Sequence, residues 1–109
     1  EALYIQTLRS IAVRHQRDAD GYRCMKEWPT NVATCPVLQR LFLGGNDIGE
    51  VPETEEISYR IYILDISDNP EIVINVSAVC PYITAGMYTL IYDSWQNIRG
   101  CPALKLENK

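Results

Sequence analysis

No apolar run in these 109 residues approaches the roughly 20 that a membrane-spanning helix needs. Cationic excess is lacking too: ten Lys/Arg stand against fourteen Asp/Glu, for a net charge of −4, so the basic footprint of a nucleic-acid binder is missing. Histidine occurs once, at His15, and a Ser-His-Asp site would have to be built around it; no G-x-S-x-G elbow offers the nucleophile. Gly44-Gly45 reads as a turn rather than a phosphate cradle, because no G-x-x-x-x-G-K-[ST] surrounds it. The stretch Asp65-Ile66-Ser67-Asp68-Asn69 begins like a calcium loop, but Pro70 holds the sixth position and Val76 the twelfth, where glycine and a bidentate glutamate are required. Close cysteine pairs of the C-x-x-C kind, which aim two thiolates at one zinc, are absent as well. Catalytic residues, metal ligands and cofactors are therefore not expected. A leader pattern is not visible, and a chain opening on Glu1 reads as a mature or excised piece of something longer.

What is present is globular: 47% hydrophobic and 22% charged residues supply enough apolar material for one domain. A domain of this size buries about two-thirds of the surface its unfolded chain exposes. Residues 1–27 are near neutral and residues 28–109 carry the acidity, much of it in Glu50, Glu53, Glu55 and Glu56, which read as a solvated face. Four cysteines, Cys24, Cys35, Cys80 and Cys101, allow three connectivities; Cys24–Cys35 with Cys80–Cys101 closes the shortest loops. The alternative is four reduced thiols in a cytosolic protein. The even count and sequence-local partners favour bridges, each contributing on the order of 3 kcal/mol, and an oxidising compartment.

Along the chain, Tyr4, Leu8, Ile11 and His15 fall at helical spacing, predicting an amphipathic helix over 3–17 that Asp18, Asp20 and Gly21 end. From Leu38 the pattern changes. Residues 38–52 read L-x-x-L-x-L-x-x-N-x-I-x-x-V-P, and residues 61–69 read I-x-x-L-x-I-x-x-N, followed by alternating Ile72, Ile74 and Val76. A third, degenerate copy begins at Met87 and reads M-x-x-L-x-Y-x-x-W, with aromatics replacing the small residue as if to close an apolar end.

This template, recurring after 23 residues, resembles the leucine-rich repeat. Each copy places one short strand with two apolar side chains inward, then an asparagine whose amide can donate to and accept from backbone groups at the inward turn. Asn46 and Asn69 are accordingly expected to form a structural ladder. The tail, with Val79-Cys80-Pro81-Tyr82-Ile83 and Ile98-Arg99-Gly100-Cys101, is similar to secreted or surface leucine-rich repeat proteins of microbes, Bacteroidetes lipoproteins among them. The expected fold is α/β: a short solenoid with a small parallel sheet, an N-terminal helical cap over 1–36, two repeats over 37–79, and a degenerate repeat with a disulfide-tied C-terminal cap over 80–109.

The resemblance implies a strand face that binds other proteins or glycans, so the outward positions are the candidate binding residues: Arg40, Phe42, Ile63, Asp65, Thr89 and Ile91. Phe42, Ile63 and Ile91 would form an apolar patch. Two readings follow: a non-catalytic interaction module of a secreted or cell-surface protein, or a passive accessory domain with no ligand of its own. Neither involves nucleic acid, and the oligomeric state is left open. Mass analysis of the freshly secreted protein without reductant is expected to find both bridges; four free thiols would refute the compartment argument.

Overall fold

The shortness of the strands is the first structural consequence of the repeat: three residues suffice to cross one coil of a solenoid before the chain must turn. The computed structural model describes residues 9–23, 25–28, 38–51 and 61–107. Within them lie β1 (Ser10–Ala12), β2 (Arg40–Phe42), β3 (Ile63–Asp65), β4 (Val73–Asn75), α1 (Cys80–Thr84), β5 (Thr89–Ile91) and β6 (Asn97–Arg99). β1, β2, β3 and β5 form one parallel sheet in that order, and β4 pairs with β6 in a second. The register aligns Ile11, Leu41, Leu64 and Leu90 across the first sheet. All four point into the core and are buried, because the two-residue period of a strand sends alternate side chains to opposite faces. The opposite wall of the coil supplies Ile72, Ile74, Val76 and Ile98, so the interior is closed between the two sheets.

The helix expected over 3–17 is corrected by β1. Residues 9–17 contain a strand in place of a helix, and residues 3–8 lie outside the described residues. The reason is an ambiguity of spacing. Leu8 and Ile11 satisfy a helical interval, yet Leu8-x-x-Ile11-x-Val13-x-x-Gln16 is itself the repeat template with glutamine at its last position. Pairing with β2 then satisfies the backbone between strands, and the ladder runs past the strand ends through Val13 N–H to Phe42 O at 2.8 Å and His15 N–H to Gly44 O at 3.0 Å. The sheet therefore starts inside the stretch assigned to an N-terminal helical cap. The turn expected at 18–21 is present: Asp18 Oδ1 accepts from the Asp20 and Tyr22 amides.

After each of the first three strands the chain reverses through a left-handed residue at an equivalent position: His15 (φ 53°), Gly45 (φ 75°) and Asp68 (φ 53°). Left-handed backbone costs an L-residue roughly 1–2 kcal/mol, so the turn must be held from outside. The holding group is the next residue's amide. Asn46 Nδ2 donates to Val13 O (2.7 Å) and Leu43 O (2.9 Å), and its Oδ1 accepts from Gln16 N (2.9 Å). Asn69 repeats the arrangement one coil on, donating to Leu43 O and Ile66 O and accepting from Ile48 N, each at 3.0 Å. Leu43 O thus receives a hydrogen bond from its own coil and from the following one.

In the last coil this position goes to Gln96 rather than Trp95. Gln96 is 3% exposed, donates to Ile66 O at 2.8 Å and accepts from Asp93 N at 2.8 Å. Trp95, expected to close the apolar end, and Met87, read as the first template position, are instead exposed, and Tyr88 is buried in place of Met87. One residue is inserted relative to the earlier coils, and the longer glutamine side chain spans the difference. Leu104 and Leu106 pack against the core behind it, with Lys105 N donating to the Tyr92 hydroxyl at 2.7 Å. Cys80, at the start of α1, is bonded to Cys101, tying the last crossover to the residues after β6. α1 closes in a Schellman arrangement: Met87 N donates to Tyr82 O and Gly86 N to Ile83 O. Among the described residues no helix is long and apolar enough to cross a membrane.

Two measurements probe this interior. Asn46→Ala is expected to cost about 1–3 kcal/mol through unpaired buried backbone groups. Asn69→Ala should cost more, because it strands the amide of the fully buried Ile48, whereas the Gln16 amide freed by Asn46→Ala lies on an exposed residue. Chemical denaturation of both variants gives the ranking, and equal or negligible effects would contradict the ladder. Among the described residues the Tyr88 hydroxyl is buried without a partner, and desolvation pushes its pKa well above the usual tyrosine value. The folded state therefore holds that proton more tightly than the unfolded chain, and the associated stability is lost as pH rises past the unfolded tyrosine pKa of about 10. Tyr88→Phe is expected to leave neutral-pH stability unchanged or raised and to flatten that alkaline decline.

Candidate functional site

The outward side chains of the first sheet stand in rows set by the strand register. One row runs Ser10, Arg40, Ile63, Thr89; the next runs Ala12, Phe42, Asp65, Ile91. All six candidate binding residues therefore share one face, with Phe42 and Ile91 in one row and Ile63 in the other. Ile91 is 39% exposed and Thr89 is exposed, while Phe42, Ile63 and Arg40 are half-buried. Arg40 is steadied by donating from Nη1 to the Tyr62 hydroxyl at 3.2 Å.

Asp65 sits differently from its neighbours, at 7% exposure. Its Oδ1 accepts from the Ser67 amide (3.0 Å) and the Ser67 hydroxyl (2.7 Å). The carboxylate folds toward Gly44, whose missing side chain makes room: a Cβ there would lie 3.2 Å from Asp65 Oδ2. Arg14, which follows β1, approaches the same carboxylate. Its Nε lies 3.7 Å from Asp65 Oδ2, and its guanidinium carbon lies 4.3 Å from the centroid of the Phe42 ring. A cation over a ring face at this distance is attracted by the ring quadrupole.

Arg14 belongs to this face, although residues 3–17 were expected to form a capping helix. The signal that would have found it is the repeat template beginning at Leu8, which puts Arg14 level with Gly44 and Ser67. In the last coil the equivalent Asp93 is used internally: its Oδ2 accepts from the Asp68 amide at 2.7 Å, standing in for the carbonyl that receives this bond in the earlier coils.

Asn46 and Asn69 are both fully buried behind the face, so their amides serve the backbone and are out of a ligand's reach. A separate open depression of about 580 Å³ lies beside the turns, lined by Arg17, Tyr22, Arg23, Lys26 and Asp47 among others. Its arginines bind the chain itself: Arg23 Nη1 donates to Asn46 O and Asp68 O, each at 2.6 Å, and Arg17 Nη1 to Gly45 O at 2.7 Å. His15 is exposed, with its ring against Gly45. Cys24 and Cys35 lie outside the described residues. No group of three His, Cys, Asp or Glu among the described residues could hold a metal ion.

No protein-family model matches the sequence, and no curated protein matches it. Solved structures do match, two of them as follows. A leucine-rich repeat protein from Bacteroides thetaiotaomicron VPI-5482 is 51% identical over 98% of this chain, with a TM-score of 0.92. A leucine-rich repeat protein from Bacteroides eggerthii DSM 20697 is 50% identical over 97%, with a TM-score of 0.89. The chain spans 12% of the first of those chains and 17% of the second. With half its residues shared over nearly its full length, and coils that superpose on theirs, this chain belongs to the leucine-rich repeat proteins.

Proposed function

We propose that the chain is a non-catalytic interaction module of a secreted or cell-surface protein, binding a protein or glycan partner through its strand face. The carrying observation is the apolar content of the two outward rows. The inward positions of β1, β2, β3 and β5 are filled by residues that have found a core, whereas Phe42, Ile63 and Ile91 occupy the opposite face of the same strands. Apolar side chains gathered on neighbouring strands mark interaction sites more often than scattered ones do. The Cys80–Cys101 bond supports an extracytoplasmic setting, where such bonds persist.

A passive accessory role draws support from Arg14, which already covers part of Phe42. The two readings part on what Phe42 and Ile63 contribute. Phe42→Ala and Ile63→Ala in the whole secreted protein are expected to weaken capture of its protein or glycan partner by roughly tenfold or more, as central apolar contacts do, while the thermal midpoint changes little. Unchanged binding together with lost thermal stability would assign these side chains to the protein's own packing and overturn the interaction role.

A further inference from the structure

We propose that Arg14 is the anchor of the strand face, and that the partner is a protein segment presenting an Asp or Glu carboxylate beside aliphatic side chains. The inference rests on the strand-face reading and adds the chemistry of the partner to it.

Arg14 is held on two sides and open on the third. The Phe42 ring lies against its guanidinium plane at 4.3 Å, and the Asp65 carboxylate faces its Nε edge at 3.7 Å. Neither contact engages the two Nη groups, which have no hydrogen-bond partner among the described residues, and the side chain stays 44% exposed. A guanidinium presents five N–H donors in a rigid plane, and the pair of Nη groups matches the two oxygens of a carboxylate. Fixing the plane in advance removes part of the ordering cost that a free arginine would meet on binding.

Asp65 does not compete for that fork. Its Oδ1 is taken by Ser67, and the side chain is 11% exposed, folded into the space left by Gly44. The acidic group beneath Arg14 therefore orients the cation, while the outer edge remains complementary to an incoming anion.

The surroundings decide between a peptide and an acidic polysaccharide. A pyranose ring is best received on an open aromatic face, and the aromatic ring in these rows, Phe42, has a guanidinium over it. The same face carries aliphatic side chains, Ile91 exposed in the row of Phe42 and Ile63 half-buried in the adjacent one. Aliphatic contacts flanking one charge-paired arginine suit a protein segment of mixed acidic and apolar character.

Panning a random-peptide phage library on the immobilised chain tests this directly. The expected peptides are enriched in Asp or Glu next to aliphatic residues. Their affinity should fall roughly tenfold or more with Arg14→Gln, the loss of one charge-assisted pair, and by less with Arg14→Lys, which keeps the charge without the fork. Circular dichroism should show both variants folded, since a half-exposed ion pair contributes little to stability. Peptides that need Ile91 but are indifferent to Arg14 would overturn the anchor while leaving the strand-face reading intact. Peptides indifferent to Phe42, Ile63, Ile91 and Arg14 alike would overturn both, as would a library that yields no binder. Retention of polygalacturonate that falls with Arg14→Gln, with no acidic peptide selected, would overturn the choice of a protein partner.

Discussion

A chain that coils every two dozen residues must turn its backbone inward, and the carbonyls at that turn face a dry interior. The buried amides of Asn46, Asn69 and Gln96 answer that constraint. Each reaches back to a carbonyl of the coil before it, and the two asparagines also serve their own coil, so adjacent turns are joined by shared acceptors. Because water cannot substitute at these positions, each amide is nearly obligatory, and the turns it joins are fixed relative to one another. Strand register follows from that fixation. So does the stacking of Ile11, Leu41, Leu64 and Leu90, since a slip between coils would break the amide contacts as well as the backbone ladder.

The outer face inherits its order from the same source. Rigid register brings side chains from positions far apart in sequence into adjacent places, and Arg14, Phe42 and Asp65 meet only because three coils are held in line. Gly44 completes the arrangement by leaving room for the Asp65 carboxylate that Arg14 meets. The face is thus a product of the interior: residues that never touch the ladder are positioned by it.

How much of this was legible in the sequence depends on how tightly geometry restricts each position. Leu41, Leu64, Asn46 and Asn69 were readable because a three-residue strand followed by an inward turn tolerates few alternatives at those places. The alternation of Ile72, Ile74 and Val76 likewise matched the strand on the opposite wall. β1 was hidden because its apolar interval also fits a helix, and only tertiary pairing with β2 decides between them. Gln96 was passed over for Trp95 because one inserted residue shifts the last turn, and a longer amide absorbs the shift. Arg14 was illegible for a different reason. Its role depends on a gap in the neighbouring strand, which spacing along one segment does not reveal.

The bond between Cys80 and Cys101 also decides how tension would pass through this chain. α1, β5 and β6 all lie between the two cysteines, which are 21 residues apart in sequence. A pull applied to the two ends is carried covalently across the sulfur bridge, bypassing the backbone of these elements. A segment of about 70 Å in extended length is withheld from stretching. Coils N-terminal to the bridge can be drawn out straight, whereas the loop between the cysteines cannot be, even after its pairing with β3 and β4 is lost. Under load the chain would then lengthen only outside the bridge, leaving the cross-linked loop as a compact remnant.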